Sequence, residues 1–394
     1  MPMLPSAFSA KPPSIKGWCP GALRPMLSGD GWVVRIRPPA GRLSAAQAAG
    51  IAQLATRLGN GLIDVTSRAN LQLRGVQQDS HAELIDGLRA LALVDASPQA
   101  EARRNIVVTP FWLSGDGTLD IAGALAEALS QPDAPALPTK FGFALDTGEQ
   151  PVLQDTSADI RIERRANGLW VRADGFSTGA LVTADEAVPT ALVLARWYAA
   201  HPRSGRMAAL AGNTALPEAF QTPLPPLTAT PQWQIGQSAH GWLVGIAFGQ
   251  LSAQTLSALA QCAGTGALRI TPWRILLIEG AAQIPPLPSL ITRADDPLLR
   301  VVACSGAPQC QHAVMDTRTV ARTLAPCIPA AGLLHVSGCT KGCAHPKAAL
   351  TLVGTHDGID LIRYGSAASS PERRALSVDT VATELQRLLH ATPI

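Results

Sequence analysis

Gly31-Trp32-Val33-Val34 opens an apolar run, Leu43-Ser44-Ala45 opens an Ala-rich stretch, and Asp64-Val65-Thr66-Ser67-Arg68-Ala69-Asn70-Leu71-Gln72-Leu73-Arg74-Gly75 follows with a strand pattern. The same order returns in Gly241-Trp242-Leu243-Val244, in Leu251-Ser252-Ala253 and in Arg269-Ile270-Thr271-Pro272-Trp273-Arg274-Ile275-Leu276-Leu277-Ile278-Glu279-Gly280. The two sets lie about 205 to 210 residues apart, roughly half the chain. Recurrence at a fixed interval is the mark of a duplicated unit. Ser44 and Ser252 each precede a run of strong helix formers, where a hydroxyl can cap the first turn. A strand–helix–strand unit used twice predicts a pseudo-twofold molecule with a cleft between its halves.

The rest of the chain is punctuated around that repeat. Asn105 to Trp112 reads as a strand, Gly115 to Gly117 as a turn, Asp120 to Ser130 as a helix and Lys140 to Leu145 as another strand. The Pro-rich stretches Gln131–Pro138 and Leu216–Pro231 read as linkers, and Pro285, Pro286 and Pro288 mark a further break. The fold class expected is α+β with mixed sheets, divided into 1–76, 77–225, 226–290 and 291–394.

Composition narrows the function. At about 150 residues per domain, 394 residues make two or three domains. Hydrophobic residues are 47%, enough for packed cores, and the net charge of +3 is too mild for a nucleic-acid surface. The first 20 residues lack the apolar core of a signal peptide, and no apolar stretch reaches the length of a membrane span, so a cytoplasmic protein without membrane or nucleic-acid partners is expected. Seven cysteines in a chain this long do not make a disulfide scaffold. In a reducing compartment, closely spaced cysteines are metal ligands or catalysts.

Four of the seven cluster: Cys304-x5-Cys310, then Cys339-x3-Cys343. Their loops, Cys304-Ser305-Gly306-Ala307-Pro308-Gln309-Cys310 and Ser337-Gly338-Cys339-Thr340-Lys341-Gly342-Cys343, are rich in small residues that let backbone wrap closely around an inorganic centre. Four thiolates suit zinc or an iron–sulfur cluster, and the five-residue spacer is long for a zinc knuckle. Cys262 in an Ala-rich stretch and Cys327 beside Pro326 read as structural, and Cys19 lies in a Gly-Trp-Cys-Pro-Gly turn.

The strand pattern at Thr66 carries a second signal. With a two-residue period Thr66, Arg68, Asn70, Gln72 and Arg74 share one face, and Val65, Leu71 and Leu73 the other. The polar face lines a ligand cleft or simply meets solvent. Arg104 and Lys140 stand on the next strand-like segments, and Arg35 with Arg37 alternate on the Trp32 strand.

C-x5-C followed by C-x3-C resembles the cluster motif of the siroheme-dependent sulfite and nitrite reductases. Three other segments agree with that family: Thr66 to Arg74 resembles its T-x-R-x-N-x-Q strand, Arg104-Asn105-Ile106-Val107 its R-N-V strand, and Leu137-Pro138-Thr139-Lys140-Phe141 its L-P-R-K-F-K segment. The resemblance implies a pseudo-twofold, duplicated reductase-like fold with ferredoxin-like units and a C-terminal unit bearing a [4Fe–4S] cluster. It assigns Cys304, Cys310, Cys339 and Cys343 to the cluster and Arg68, Gln72, Arg74, Arg104 and Lys140 to a modified tetrapyrrole. Departures are informative: Thr139 and Gly142 stand where the family has Arg and a second Lys, leaving Lys140 alone of the two lysines that serve oxyanion reduction. Lys16 to Met26 and Asn60 to Val76 resemble one branch in particular, the precorrin-3B synthases of aerobic cobalamin biosynthesis. That branch implies precorrin-3A and O2 as substrates, a mononuclear non-haem iron beside the cluster, and NADH as ultimate donor through a separate electron-donor protein or reductase; the main family would instead imply siroheme. No H-x-D or H-x-E pair marks the iron's ligands, and His312, His335 and His345 near the cysteines read as packing or loop residues.

Overall fold

The computed structural model describes residues 18–201, 205–227 and 234–391, so Lys16 and Gly17 of the N-terminal motif and residues 228–231 of the second Pro-rich stretch lie outside the described residues. The chain divides into two compact units, Cys19–Leu299 and the part from Arg300 onward.

The larger unit begins with β1 (Met26–Ser28), β2 (Gly31–Ile36), β3 (Arg42–Ser44), α1 (Ala45–Leu58), β4 (Leu62–Val65), β5 (Leu71–Val76) and α2 (His81–Ala90). An α/β section follows: α3 (Pro98–Arg103), β6 (Ile106–Val108), α4 (Thr118–Ser130), β7 (Phe143–Asp146), β8 (Ile160–Arg165), β9 (Gly168–Ala173), β10 (Thr178–Val182), α5 (Ala184–Ala200) and β11 (Thr222–Pro223). Then β12 (Gly236–Ser238), β13 (Gly241–Ile246), β14 (Gln250–Ser252), α6 (Ala253–Ala263), β15 (Ala267–Ile270), β16 (Ile275–Ile278) and β17 (Leu290–Ile291) repeat the opening pattern.

The duplication is visible in backbone and caps alike. Ser44 accepts from the Gln47 N–H and Ser252 from the Thr255 N–H, each starting its helix. Ala40 and Phe248 sit at φ 51° and 55°, and Ala69 and Arg274 at 53° and 61°. Left-handed backbone is costly for residues with a Cβ, so its recurrence at matched places in both halves reflects one ancestral geometry. The halves also exchange strands. The first sheet runs β1-β2-β5-β4-β14 and takes its last strand from the second half; the second runs β12-β13-β16-β15-β3 and takes its last from the first. On α1, Ala48, Ile51, Ala52, Ala55 and Leu58 form one buried stripe at helical spacing. Together with Leu256, Leu259 and Ala260 of α6 and the inner sheet residues Ile63, Leu73, Val244 and Leu276 they make one core.

Each exchange is pinned by ions of opposite arrangement. In the first half the cation Arg74 contacts Asp30 at 2.7 Å and Asp64 at 3.6 Å, and Asp64 accepts from Gln250 of the incoming strand at 2.8 Å. In the second half the anion Glu279 holds Arg269 at 2.5 Å and Arg42 of the incoming strand at 2.7 Å.

The expected continuous strand from Asp64 to Gly75 is instead a hairpin. β4 and β5 pair antiparallel, Asp64 opposite Gln72 and Val65 opposite Leu71. Thr66 makes the turn: its hydroxyl accepts from the N–H groups of Arg68 and Asn70, and Ala69 takes the left-handed conformation. A threonine can direct such a turn without glycine or proline, which is why the alternation looked unbroken. Arg269 to Gly280 folds the same way, Leu268 pairing with Ile278.

The units also end differently from the sequence boundaries. α2 buries Leu84, Ile85 and Leu88 in the first core, carrying that section beyond Val76, and β17 pairs with β13 past residue 290. Within the second Pro-rich stretch Phe220 is buried and β11 pairs with β10, so this part is packed structure rather than free linker.

From Arg300 the chain forms β18 (Val301–Ala303), α7 (Thr317–Leu324), β19 (Leu334–Ser337), β20 (Ala349–Thr355), β21 (Gly358–Gly365), β22 (Arg373–Leu376) and α8 (Val378–Ala391). Its sheet runs β18-β19-β20-β21-β22, parallel through β20 and antiparallel beyond. The α/β section of the larger unit has the same plan: β6, β7 and β8 parallel, then β9 and β10 antiparallel. Among the described residues no helix is long and apolar enough to cross a membrane.

Candidate functional site

In the larger unit the turn Cys19-Pro20-Gly21-Ala22-Leu23-Arg24 is clamped by one carboxylate. Glu101 on α3 is buried and accepts from the Ala22 N–H at 2.5 Å and the Leu23 N–H at 3.1 Å, while Arg37 pairs with it at 2.9 Å. Arg37 also donates to the Pro20 carbonyl at 3.3 Å. Gly21 is required by this contact, because a Cβ there would run into the Glu101 carboxylate. The Arg35 N–H donates to the Gly21 carbonyl at 3.1 Å, which lays the turn along β2. A cavity of about 250 Å³ opens here, lined by Cys19, Arg24, Arg37, Glu101 and Thr139 among others.

Several cations gather around the turn. Arg35, Gln72, Asp64 and Gln250 are partners across four adjacent strands and therefore form one polar row on a single sheet face. Arg35 is only 8% exposed, and its Nε and Nη1 have no hydrogen-bond partner. Burial lowers its guanidinium to about 10, with Cys19 opposing the shift and Arg37 and Arg68 adding to it. Burial also lowers Arg37, where Glu101 opposes the shift. Arg68 is lowered by burial and the nearby Arg206, with Cys19 and Asp159 opposing.

The residues assigned to a tetrapyrrole by resemblance separate into four groups. Arg68 is half-buried on the hairpin turn and donates through both terminal nitrogens to the Lys140 carbonyl at 3.3 Å, so it stands at the cation cluster; Gln72 stands in the Arg35 row. Arg74 is committed to Asp30, Asp64 and the Ser28 hydroxyl in the first half's strand exchange. Arg104 is not on a strand but caps the C-terminus of α3, forks onto Asp95 at 2.6 and 2.9 Å, and donates to the Arg37 carbonyl. It lines a cavity of about 520 Å³ with Arg37, Arg42 and Asn70. Lys140 lies on the turn before β7, its side chain exposed; Asn105 donates to the carbonyls of Thr139 and Phe141 on either side and holds the turn in place. Sequence reasoning missed Glu101 and Arg206. Arg206 pairs with buried Asp159 at 2.8 Å, and Asp159 in turn accepts from the Gly142 N–H. Neither residue lies in a motif, and their partners are far away in the chain.

The four cysteines form a second centre, in the unit from Arg300. Cys304 follows β18 directly and Cys339 comes two residues after β19, so both loops leave the same end of parallel neighbours. The Gly338 N–H donates to Cys304 Sγ at 3.3 Å, the Thr317 hydroxyl to the Cys304 carbonyl at 2.8 Å, and the Ser337 hydroxyl to the Cys339 carbonyl at 2.7 Å. Gly342 takes φ 62°, with Ala367 so near that an added Cβ would stand 3.1 Å from it. Burial pushes the Cys339 thiol up, and the neighbouring Cys310 and Cys304 push it further. Cys343 is raised by desolvation and by the other three thiols, with Lys341 opposing. The four sulfurs are therefore electrostatic neighbours.

Four thiols can serve zinc or an iron–sulfur cluster. Thiolates on one zinc ion lie about 2.3 Å from it and so about 4 Å from each other. Among the described residues no group of three or more His, Cys, Asp or Glu side chains is close enough to share a single ion. A four-iron cluster spreads its thiolates over separate irons, which fits neighbouring but non-convergent sulfurs. The matching positions of the α/β section hold Thr109 directly after β6 and Gly148 two residues after β7, so only one of the two related sections carries the thiols. His335 is fully buried on β19 with its ring 5.9 Å from that of His345, in keeping with a packing role.

The chain was compared with known proteins. Residues 24–91 match the nitrite/sulfite reductase ferredoxin-like half domain. A precorrin-3B synthase of Sinorhizobium sp is 29% identical over 90% of this chain and 84% of the relative. A ferredoxin–nitrite reductase of Synechococcus elongatus is 26% identical over 92% of this chain and 85% of the relative. The solved structure of the Mycobacterium tuberculosis NirA protein superposes with a TM-score of 0.66 at 18% identity, covering 92% of this chain and 80% of that one. The strand-exchanged sheets, the paired α/β sections and these likenesses agree: residues 24–91 match the nitrite/sulfite reductase ferredoxin-like half domain, in a chain with the mixed α+β fold of NirA.

Proposed function

We propose that this chain is an O2-dependent monooxygenase of aerobic cobalamin biosynthesis that converts precorrin-3A to precorrin-3B by hydroxylation with lactone formation. The observation that carries the reading is the identity with a precorrin-3B synthase across nine-tenths of the chain. The site chemistry is compatible with it. A polycarboxylated tetrapyrrole needs cations that are not already neutralised, and among the described residues Arg35, Arg68 and Lys140 stand near the Cys19 turn with no carboxylate contact. Arg37 and Arg104 are held by Glu101 and Asp95 and shape the cavity walls.

Cys304, Cys310, Cys339 and Cys343 would hold a [4Fe–4S] cluster, which supplies electrons one at a time. The backbone N–H of Gly338, aimed at Cys304 Sγ, would donate to that sulfur as a ligand. Oxygen insertion consumes O2, two electrons and two protons and yields one water beside the hydroxylated product. The electrons come from outside the chain, with NADH as ultimate donor through a separate protein, because no G-x-G-x-x-G follows a strand. Among the described residues no His, Cys, Asp or Glu side chains gather as a ligand set for a mononuclear non-haem iron. A thiolate-held cluster belongs in a reducing compartment, and on this reading the protein works in the cytoplasm.

The test is incubation with precorrin-3A, a reductant and isotopically labelled O2, followed by mass spectrometry. The reading expects one labelled oxygen atom in the product; no incorporation with the cluster intact rejects it. The similarity to nitrite reductase supports a second reading, a siroheme-dependent sulfite or nitrite reductase. Strong siroheme bands in the visible spectrum of purified protein would favour that one, whereas Thr139 and Gly142 in place of basic residues speak against it.

A further inference from the structure

The larger unit holds another cavity, of about 930 Å³, within the usual size of small-molecule sites, about 300–1,000 Å³. It has no part in the reaction proposed above. Its walls come from the loops after β6 and β7 and from the β12–β13 hairpin. One wall is aromatic and fixed. Phe111 stacks on Trp273 at 6.3 Å, with 20° between the planes. Arg269 donates to the carbonyls on either side of Phe111, those of Pro110 and Trp112, at 2.7 and 2.8 Å. The floor is apolar, formed by buried Leu243 and Val152. In the first sheet the row Arg35, Gln72, Asp64 and Gln250 is polar throughout; the corresponding row of the second runs Leu243, Leu277, Arg269 and Arg42. The arginine and glutamine of one half are thus leucines in the other. The rim is polar but poor in positive charge. Among the described residues lining it, Asp116 and Glu149 stand against one guanidinium, that of Arg164, whose Nε donates to the Thr147 carbonyl at 2.9 Å. Burial holds the His240 imidazole below its usual range, with Arg269 adding to the shift and Glu149 opposing it, so the ring is uncharged near neutral pH. Its Nδ1 is buried with no hydrogen-bond partner among the described residues, and its ring lies 5.4 Å from that of Phe111. A buried nitrogen left unpaired is costly, and a ligand group that meets it removes the cost.

We propose that this cavity binds a flat, uncharged heteroaromatic ring, which stacks on Phe111 and turns an amide or imide edge to His240 Nδ1 and to the carboxamides of Gln150 and Gln237. A ring face already held by Arg269 and Trp273 receives a second ring at little conformational cost. Two carboxamides offer both donors and acceptors, the complement of a carbonyl beside a ring N–H, and the imidazole nitrogen serves as either according to its tautomer. A polycarboxylate is disfavoured, because two acids outnumber one arginine at the rim and the floor carries leucine in place of a cation. The site therefore differs in ligand from the cation cluster at the Cys19 turn, and it stands whether or not precorrin-3A is the substrate there.

The experiment is equilibrium dialysis of the cluster-loaded protein against riboflavin, with the free flavin read by its fluorescence in the protein-free chamber. Riboflavin supplies an uncharged fused ring with an imide edge. Its N3-methyl derivative keeps the ring and blocks the edge, and uroporphyrin supplies a flat ring bearing many carboxylates. The proposal expects saturable retention of riboflavin, weakened about tenfold for the methylated probe and about tenfold in Phe111→Leu, the order of one lost contact. Gln237→Ala, at an exposed position, should weaken retention as well, and excess uroporphyrin should leave it unchanged. No retention of riboflavin up to its solubility limit overturns the proposal. Equal retention of the two flavins also overturns it, a comparison that needs no variant to fold. Unchanged retention in folded Phe111→Leu puts the flavin elsewhere on the protein and has the same force. Displacement of riboflavin by uroporphyrin assigns the cavity to polycarboxylates and rejects the uncharged ring.

Discussion

Glu101→Gln is the perturbation that best tests how the site is built. The Glu101 and Arg37 side chains are 5% and 4% exposed and lie 2.9 Å apart, and the same carboxylate accepts two backbone N–H groups of the Cys19 turn. Removing one charge of a buried pair leaves the other uncompensated, at a cost of about 3–5 kcal/mol. Glutamine keeps a carbonyl oxygen for the turn, so the backbone contacts survive in part and the loss should be mostly that of the charge. Glu101→Ala also abandons two donors, each worth about 1–3 kcal/mol when left unsatisfied, and should cost more. The double variant Arg37→Met with Glu101→Gln removes both charges, and a neutral, well-packed pair is tolerated far better than a half-broken one. Its cost should fall clearly below the sum of the two single variants. Urea unfolding followed by tryptophan fluorescence is the assay, since seven of the eight tryptophans fall within the larger unit, Cys19–Leu299, and dominate the signal. A Glu101→Gln cost below about 1 kcal/mol, or strict additivity in the double variant, would refute the clamp.

Burial raises Asp146 to about 6, with the nearby Glu163 adding to the shift and the donors Leu153, Val152 and Gln154 opposing it. A carboxyl raised in the folded state stabilises fully below its unfolded pKa and loses that contribution as pH climbs through about 6, an effect of about 3 kcal/mol for a shift of about two units. Stability of Asp146→Asn relative to wild type should therefore improve between pH 4 and pH 8; a flat difference in urea midpoints would contradict this. Cys343→Ser should lose bound iron and sulfide together with turnover, and full metal content with full activity would remove Cys343 from the ligand set. Glu279→Gln releases Arg42 and Arg269 at once and should destabilise the larger unit by about 1.5–3 kcal/mol, whereas Gln250→Ala, which removes one neutral donor, should cost about 1 kcal/mol or less by the same urea assay. Equal losses in the two variants would show that the charges do not hold the exchanged strands.

The parts of the fold legible in the sequence were those written in short-range pattern. The Gly-Trp and Leu-Ser-Ala recurrences marked the duplication because a capped helix between two strands repeats its own local chemistry. The cysteine spacing marked the second centre because ligands must crowd within loops of limited length. The Asp64–Gly75 hairpin escaped notice, since Thr66 directs the turn through its hydroxyl and leaves the alternation intact. Arg74 looked like its neighbours on a polar face, yet Asp30 and Asp64 claim it for the strand exchange.

The sequence by itself determined that the chain is duplicated, that four of its cysteines lie in two closely spaced pairs, and that arginines recur on its strand-like segments. Each of these depends on spacing along the chain. Tertiary structure alone decided which arginines remain available. Arg37 finds Glu101, 64 residues away, Arg206 finds Asp159, and Arg35 finds no acid among the described residues. That choice is made by long-range pairing inside a packed interior, where an ion's neighbour is set by the fold, and no local pattern records it.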